Sequence, residues 1–478
     1  MGGSVFFIPQ AVSRLMRKFL VLMLLLLIAT KTAAILLAGP VPIQRDAYGY
    51  WKLSVLVMQG DFLMLQAPIA YRTPIYPWFL AMVRFLSGSH ALQTLSVIQG
   101  FFSLGSLIIA ASIAARVTKL PKAFLVTLIV SLPVVSSLVF DAAVLSESMF
   151  IFLFMLNLLA ILDYAKYGTA TRASWVGFTF AMALLTRPIV ILIWIPHLFF
   201  LLLIHLRKNG RLRSLSMKTI PYRIRIYHLA IAMLIVTACS APWMFRNQML
   251  FGKPFLTEFV GRNIWIVTFR DGSGAGLTMP LGGSADELRK RLLQVSAADQ
   301  WEDTWQVSNA LVKSGLNDAA ADQLMTKVAL QAARQDQSTF AYKAFRRVIN
   351  YWRCPATDLP PQGKSGTFFY GQQTWRHPIP FVNVALQYRF SQSVFCNTLL
   401  LSGLAFCVVL LMVNYPTRAY GIWIFSMLAY FSLVTGILEI PDYRYRIVVE
   451  PLVVLSFGSA VTILMSRIRK TAKVTNNV

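Results

Sequence analysis

The sequence predicts an all-α polytopic membrane protein of about ten transmembrane helices. Interfacial helices are expected in its first outer loop, together with one mainly helical extracytoplasmic domain. Three observations carry this. The chain of 478 residues is 56% hydrophobic and only 13% charged, with a mean hydropathy of +0.60. That is more apolar surface than a soluble chain of this length could bury. Apolar runs of membrane length recur at about 19–39, 91–115, 122–139, 144–162, 174–186, 188–206, 227–245, 396–414, 419–437 and 447–466. Basic residues also cluster between alternate runs. Arg14, Arg17 and Lys18 precede the first, Arg116, Lys119 and Lys122 follow the second, Arg207 to Arg225 fill one loop, and Arg467 to Lys473 the tail. With ten spans all these clusters face one side, which places both termini in the cytoplasm.

The first run lacks a small-residue cleavage site followed by a soluble domain, so it reads as a retained span. Residues 40–90 are too apolar for an open loop. Within 47–59, Tyr50, Leu53, Leu56 and Val57 share a helical face, and Gly60 stops the helix. Residues 74–87 are expected to start with Thr73 as N-cap and Pro74 at the first helical position. Both helices should lie in the interface plane. Arg187-Pro188 divides 174–206 into two spans; one kinked helix would put the basic loop after it on the wrong side. Residues 1–245 thus form an N-terminal membrane module with the first outer loop. Residues 246–395 are the only stretch long enough for a soluble domain, and 396–478 form a C-terminal membrane module. In the middle segment Ser284-Ala285-Asp286-Glu287 reads as a capping box, with helical pattern over 300–314, 318–335 and 340–352. Gly-rich 271–276 lacks the Gly-Lys-Ser/Thr of a phosphate loop and reads as a flexible connection.

The net charge of +26 follows from cytoplasmic basic loops and anionic lipid, not from nucleic acid. Cys239, Cys354, Cys396 and Cys407 lack metal-ligand spacing, and only Cys354 and Cys396 are placed to pair outside the cell. The five histidines are scattered.

Candidate chemistry concentrates at the outer ends of the spans. Asp46, in Arg45-Asp46-Ala47-Tyr48, either caps the helix at 47 or acts as a catalytic carboxylate. Arg72 and Tyr76, in Tyr71-Arg72-Thr73-Pro74-Ile75-Tyr76-Pro77, suit a charged head group, although Arg72 could equally snorkel to lipid phosphates. Asp141 reads as a cap or a binding residue. Glu147 falls one or two turns into an apolar helix, where an ionised carboxylate marks function unless it is simply paired. Arg187 is either a second binding cation or the partner of Glu147 or Asp141. Arg246, in Pro242-Trp243-Met244-Phe245-Arg246-Asn247, is a further substrate-binding candidate, and Arg444 and Arg446, in Tyr443-Arg444-Tyr445-Arg446, could clamp a phosphate or belong to an ordinary charged hairpin. A divalent cation, Mg²⁺ or Mn²⁺, held by Asp46, Glu147 and phosphate oxygens is compatible with this set.

In order along the chain, these motifs, with Leu145-Ser146-Glu147-Ser148 and Leu185-Thr186-Arg187-Pro188, resemble the GT-C superfamily of integral-membrane glycosyltransferases. Within it the chain looks like the branch of the protein O-mannosyltransferases and lipid A aminoarabinose transferases. The resemblance implies a sugar donor on a polyprenyl monophosphate and a lipid, polysaccharide or protein acceptor. It also implies a bacterial inner-membrane setting among membrane lipids, with Asp46 as the catalytic carboxylate. Ala47 stands where many members carry a glutamate, and no histidine matches the metal ligand of some aminoarabinose transferases. On chemical grounds a sugar phosphate brings its own leaving group, so one carboxylate serves as base while arginines stabilise the departing phosphate. A single displacement inverts the anomeric centre. Glu147 would position the acceptor or a cation. The competing readings are a transporter or flippase of a lipid-linked sugar and a non-catalytic scaffold of the same fold.

Overall fold

A computed structural model describes residues 14–44, 46–132, 137–209, 222–269, 277–297, 301, 303–353, 368–370, 373–375, 379–380, 394–439 and 443–475. The chain opens with α1 (Arg14–Ala38), α2 (Asp46–Met58) and α3 (Ile75–Ser87). Then come α4 (Ala91–Thr118), α5 (Lys122–Ser131), α6 (Ser137–Ala142), α7 (Glu147–Tyr167), α8 (Ala170–Thr186), α9 (Trp194–Asn209) and α10 (Tyr222–Phe251). Helices α11 (Val260–Phe269), α12 (Ser284–Gln294), α13 (Thr304–Lys313) and α14 (Asp318–Gln335) form a separate cluster, and α15 (Gln337–Arg353) leads out of it. A two-stranded antiparallel hairpin, β1 (Phe368–Tyr370) and β2 (Gln373–Trp375), precedes the last long helices, Val394–Val413, Arg418–Leu438 and Glu450–Thr475. Among the described residues the protein is all-α apart from that hairpin.

Among the described residues, seven helical stretches are long and apolar enough to cross a membrane, and two shorter apolar helices, Lys122–Ser131 and Leu400–Val413, accompany them. Leu22, Leu25, Leu26 and Leu37 of α1 and Met233 and Leu234 of α10 stand exposed. Apolar surface on that scale needs hydrocarbon as its solvent, and the protein is an integral membrane protein. The main core is built around α4, which packs on α1, α3, α5, α6, α7 and Glu450–Thr475. Helix α8 approaches α10 closely at Gly177, where a Cβ would meet the Ala232 carbonyl at 2.5 Å. Small residues at such crossings let backbones touch in a medium that supplies no hydrophobic drive between helices.

Two expected caps take other forms. Thr73 is buried and donates its hydroxyl to the Thr186 carbonyl at 3.1 Å, satisfying the C-terminal end of α8 instead of capping α3. At α12 the N-cap is Gly283, with φ +60°. Asp286 there accepts the Gly282 N–H, and Glu287 pairs with Arg291 four residues on, so no capping box forms. The break at Arg187-Pro188 is present, because α8 ends at Thr186 and Arg187 is extended. The Gly-rich 271–276 segment and Cys354 lie outside the described residues, while Cys239 and Cys407 are free.

Helices α11–α14 carry their own core around Trp265, Leu288, Leu311 and Met325. Its polar anchor is Asp322, which accepts the N–H groups of Gly261 and Arg262 at 2.8 and 2.9 Å and the Arg262 guanidinium at 3.1 Å. Arg262 also reaches Asp318 at 2.5 Å. An Asp322→Ala variant removes one of the two carboxylates that hold a buried guanidinium and orphans two helix-terminal donors. It should destabilise this cluster by about 3–5 kcal/mol. Faster amide exchange confined to α11–α14 is the expected readout, and unchanged exchange would show the anchor to be dispensable.

Candidate active site

Five separate segments converge on one ion network. Asp46 is the first residue of α2 and Glu147 the first of α7. Both carboxylates therefore sit at the positive end of a helix. Arg72 comes from the α2–α3 connection, Arg187 from the end of α8, and Arg444 from the single turn Tyr443–Arg446. Arg72 Nη2 lies 2.6 Å from Asp46 Oδ1, and Arg444 Nη1 lies 2.6 Å from Asp46 Oδ2. The Nε of the same Arg444 donates to Glu147 Oε1, which also receives Arg187 Nη1 at 2.6 Å. Arg444 thus bridges the two carboxylates. Three guanidiniums against two carboxylates leave one positive charge in excess in this network.

Asp46 does not serve chiefly as a helix cap, because a guanidinium holds each of its oxygens. It keeps 33% of its side chain exposed, whereas Glu147 is fully buried. Burial alone would raise the Asp46 carboxyl, but the charges of Arg72 and Arg444 outweigh it and hold the group well below the usual carboxylate range. Arg72 is cationic for the converse reason: burial opposes its charge, while Tyr50 and Asp46 favour it. Its guanidinium also lies 4.4 Å from the Tyr50 ring centre. Among the described residues, two buried polar atoms of the network have no hydrogen-bond partner, Arg72 Nε and Glu147 Oε2. Unsatisfied groups of this kind are costly, and in an otherwise paired cluster they mark where a ligand's polar atoms would fit.

The other residues singled out in the sequence lie outside this network. Tyr76 is buried and donates to Gln99 Oε1 at 2.9 Å. Gln99 in turn donates from Nε2 to the carbonyls of Asp141 and Ala143 at 2.9 and 2.7 Å. Tyr76 thereby supports the loop leading to Glu147 and touches Tyr50 edge-on at 4.8 Å. Asp141 is buried, pairs with Lys31 at 2.8 Å, and accepts from Ser103 and Ser148 at 2.9 and 2.6 Å. It ties α1 and α4 to the start of α7. Arg446 is buried against Glu450 and the Trp352 carbonyl, the latter at 2.7 Å. Glu147 itself begins α7 and does not lie one or two turns inside it.

Arg246 is fully buried in a cage of carbonyls. It donates to those of Leu63, Met64, Ala67 and Ile69 at 3.2, 3.2, 2.5 and 2.8 Å. It shapes the 63–69 loop. Arg246→Met keeps the bulk but removes every donor, and should destabilise the fold by on the order of 3 kcal/mol. A lowered unfolding temperature in detergent is expected. A variant with unchanged unfolding temperature and weakened substrate binding would return Arg246 to the site.

A divalent cation does not suit these residues. Among the described residues no group of three His, Cys, Asp or Glu side chains comes together. The bonded oxygens of Asp46 and Glu147 already face guanidiniums, and a metal ion would meet net positive charge. Sequence reasoning missed the supports of the site. Lys31 was a visible signal, being a cation inside the first apolar run; Gln99 and Asp318 carried none.

No family model matches the chain, and no curated protein matches it either. Solved structures do. The apo oligosaccharyltransferase of Archaeoglobus fulgidus superposes with a TM-score of 0.51 at 11% identity, over 98% of this chain and 53% of that one. The chain shares the fold of that oligosaccharyltransferase. Weaker likenesses are AglB from the same organism in complex with an inhibitory peptide and a dolichol-phosphate, and ArnT from Cupriavidus metallidurans bound to undecaprenyl phosphate. AglB gives a TM-score of 0.48 at 11% identity, over 98% of this chain and 52% of that one. ArnT gives 0.41 at 12% identity, over 88% and 78%. The chain spans about half the length of the two Archaeoglobus proteins. At such identities the likeness speaks for the fold, and chemistry has to come from the ion network.

Proposed function

We propose that this chain is a membrane glycosyltransferase that moves a sugar from a polyprenyl-monophosphate donor to an acceptor hydroxyl. The observation that carries the reading is the Arg444 bridge between Asp46 and Glu147, flanked by Arg72 and Arg187. Such a cluster is a phosphate site whose counter-charges are supplied by carboxylates until substrate arrives. The oligosaccharyltransferase likeness agrees with a transfer reaction on this fold.

In the proposed reaction the donor phosphate takes over guanidinium contacts from Asp46. The freed carboxylate accepts the proton of the acceptor hydroxyl as that oxygen bonds to the anomeric carbon. The bond from the anomeric carbon to the phosphate oxygen breaks, and the electron pair leaves on the polyprenyl phosphate, stabilised by Arg72, Arg187 and Arg444. The product is inverted. Helices α2 and α3 lie in the membrane interface, and residues 246–395 form the extracytoplasmic domain between the two membrane modules. The site faces the extracytoplasmic side of a bacterial inner membrane, with both termini cytoplasmic.

The test is transfer or release of labelled sugar from a panel of polyprenyl-monophosphate donors by the protein in liposomes, with envelope lipids and polymers as acceptors. Transfer with inversion is expected. Retained stereochemistry would sink the single displacement. Donor crossing the bilayer without any transfer would make the chain a transporter.

A further inference from the structure

Beside Arg72, the 70–72 loop meets α11–α14 in an aromatic cluster that the transfer chemistry leaves unused. The Tyr71 ring centre lies 5.4 Å from that of Phe259 and 5.5 Å from that of Trp305, edge-on to the latter. Arg72 and Arg262 both sit 5.2 Å from the Tyr71 ring centre. The backbone beneath is fixed. Asp318 accepts the Ala70 N–H at 2.7 Å, and the Ala70 carbonyl accepts from Glu258 at 2.9 Å. Trp305 is set at the start of α13 by Asp303, which accepts the N–H groups of residues 305 and 306 at 3.0 Å.

This cluster is open to a ligand. Trp305 is 44% exposed although three aromatic rings pack together here. Among the described residues neither its indole N–H nor the Tyr71 hydroxyl has a hydrogen-bond partner. Flat apolar rings with free polar tips match one face of a sugar ring: its C–H groups pack on the aromatics and its hydroxyls meet the tips. The hydroxyl-bearing Ser and Thr side chains of a protein acceptor offer no comparable flat amphipathic face. Tyr71 also precedes Arg72, whose guanidinium touches Asp46 at 2.6 Å. A ring seated on Tyr71 is therefore delivered next to the proposed base.

We propose that Tyr71, Phe259 and Trp305 form the acceptor subsite and that the acceptor is a sugar residue, as in a glycolipid or polysaccharide. This rests on the transferase reading above. The test is saturation-transfer NMR on the full chain in nanodiscs. The probes are methyl α-mannoside, methyl β-glucoside, methyl N-acetyl-β-glucosaminide and a Ser/Thr peptide, with undecaprenyl-phosphate binding measured in parallel. At least one glycoside should receive saturation. Trp305→Ala and Trp305→Leu should each cut that signal about fivefold or more, with undecaprenyl-phosphate binding kept. The exposed Trp175 of α8 is the control, and Trp175→Ala should leave the signal unchanged. Lipid binding without glycoside saturation would overturn the subsite and spare the transferase reading. Saturation of the peptide alone would make the acceptor a protein. Loss of undecaprenyl-phosphate binding in the wild type would overturn the transferase reading, and the acceptor role with it.

Discussion

Replacing Asp46 with asparagine is expected to cut sugar transfer by about 10²–10⁴-fold, the usual contribution of a positioned base, while the donor still binds. Asparagine keeps a carbonyl oxygen for Arg72 and Arg444 but cannot take a proton. The pH dependence should separate the resting enzyme from its donor complex. In the resting protein Asp46 is held below its ordinary value of 3.8. A depressed carboxyl contributes stability that is fully present above the unfolded value and lost as pH falls through the folded one. Asp46 therefore stays ionised from about pH 5 to 8, and kcat/KM should be flat there. Once donor phosphate competes for the two arginines, the carboxyl regains its ordinary range and becomes a better base. An acid limb due to Asp46 should thus appear in kcat and not in kcat/KM. Equal transfer rates for wild type and Asp46→Asn would remove Asp46 from the chemistry and shift the base role to Glu147.

Arg444→Lys is the second large effect, expected to lower kcat/KM by about 10²–10³-fold, as for loss of one preorganised donor. Arg444 spans two carboxylates with Nη1 and Nε of one planar group. A lysine keeps the charge but has a single ammonium on a flexible stem, so the substitution is not conservative here. Part of the loss could come from leaving buried Glu147 with Arg187 alone. The double variant Arg444→Lys/Glu147→Gln removes that strain. It should recover unfolding temperature but not activity. Recovery of both would make Arg444 a structural counter-ion and nothing more.

Much of this arrangement was legible because membrane insertion forces sequence to be explicit. Apolar runs announced α1, α4, α7 and α10, and charges at their ends are expensive enough to be few. Asp46, Arg72, Glu147, Arg187 and Arg444 were singled out on that ground, and the fold brings all five together. The same reasoning could not separate Arg246 or Arg446 from them. A buried arginine caged by carbonyls and one aimed at a ligand share a sequence signature, and only the path of the 63–69 loop tells them apart. Thr73 failed as a cap for a related reason. A hydroxyl chooses between a local N–H and a distant carbonyl, and the Thr186 carbonyl lies 113 positions away. Phe259 and Trp305 gave no warning, since aromatics in a helical segment usually fill its core.

The single positive charge left over in the Asp46–Glu147 network also bears on turnover. A sugar phosphodiester carries one negative charge, so the donor would neutralise the cluster. The polyprenyl monophosphate left after transfer carries up to two near neutral pH, because a phosphate monoester has its second pKa at about 6. The spent lipid would then be held more tightly than the fresh one. Escape of the carrier, not bond making, would limit the steady rate, and added polyprenyl phosphate would compete with the donor more strongly as pH rises through that value.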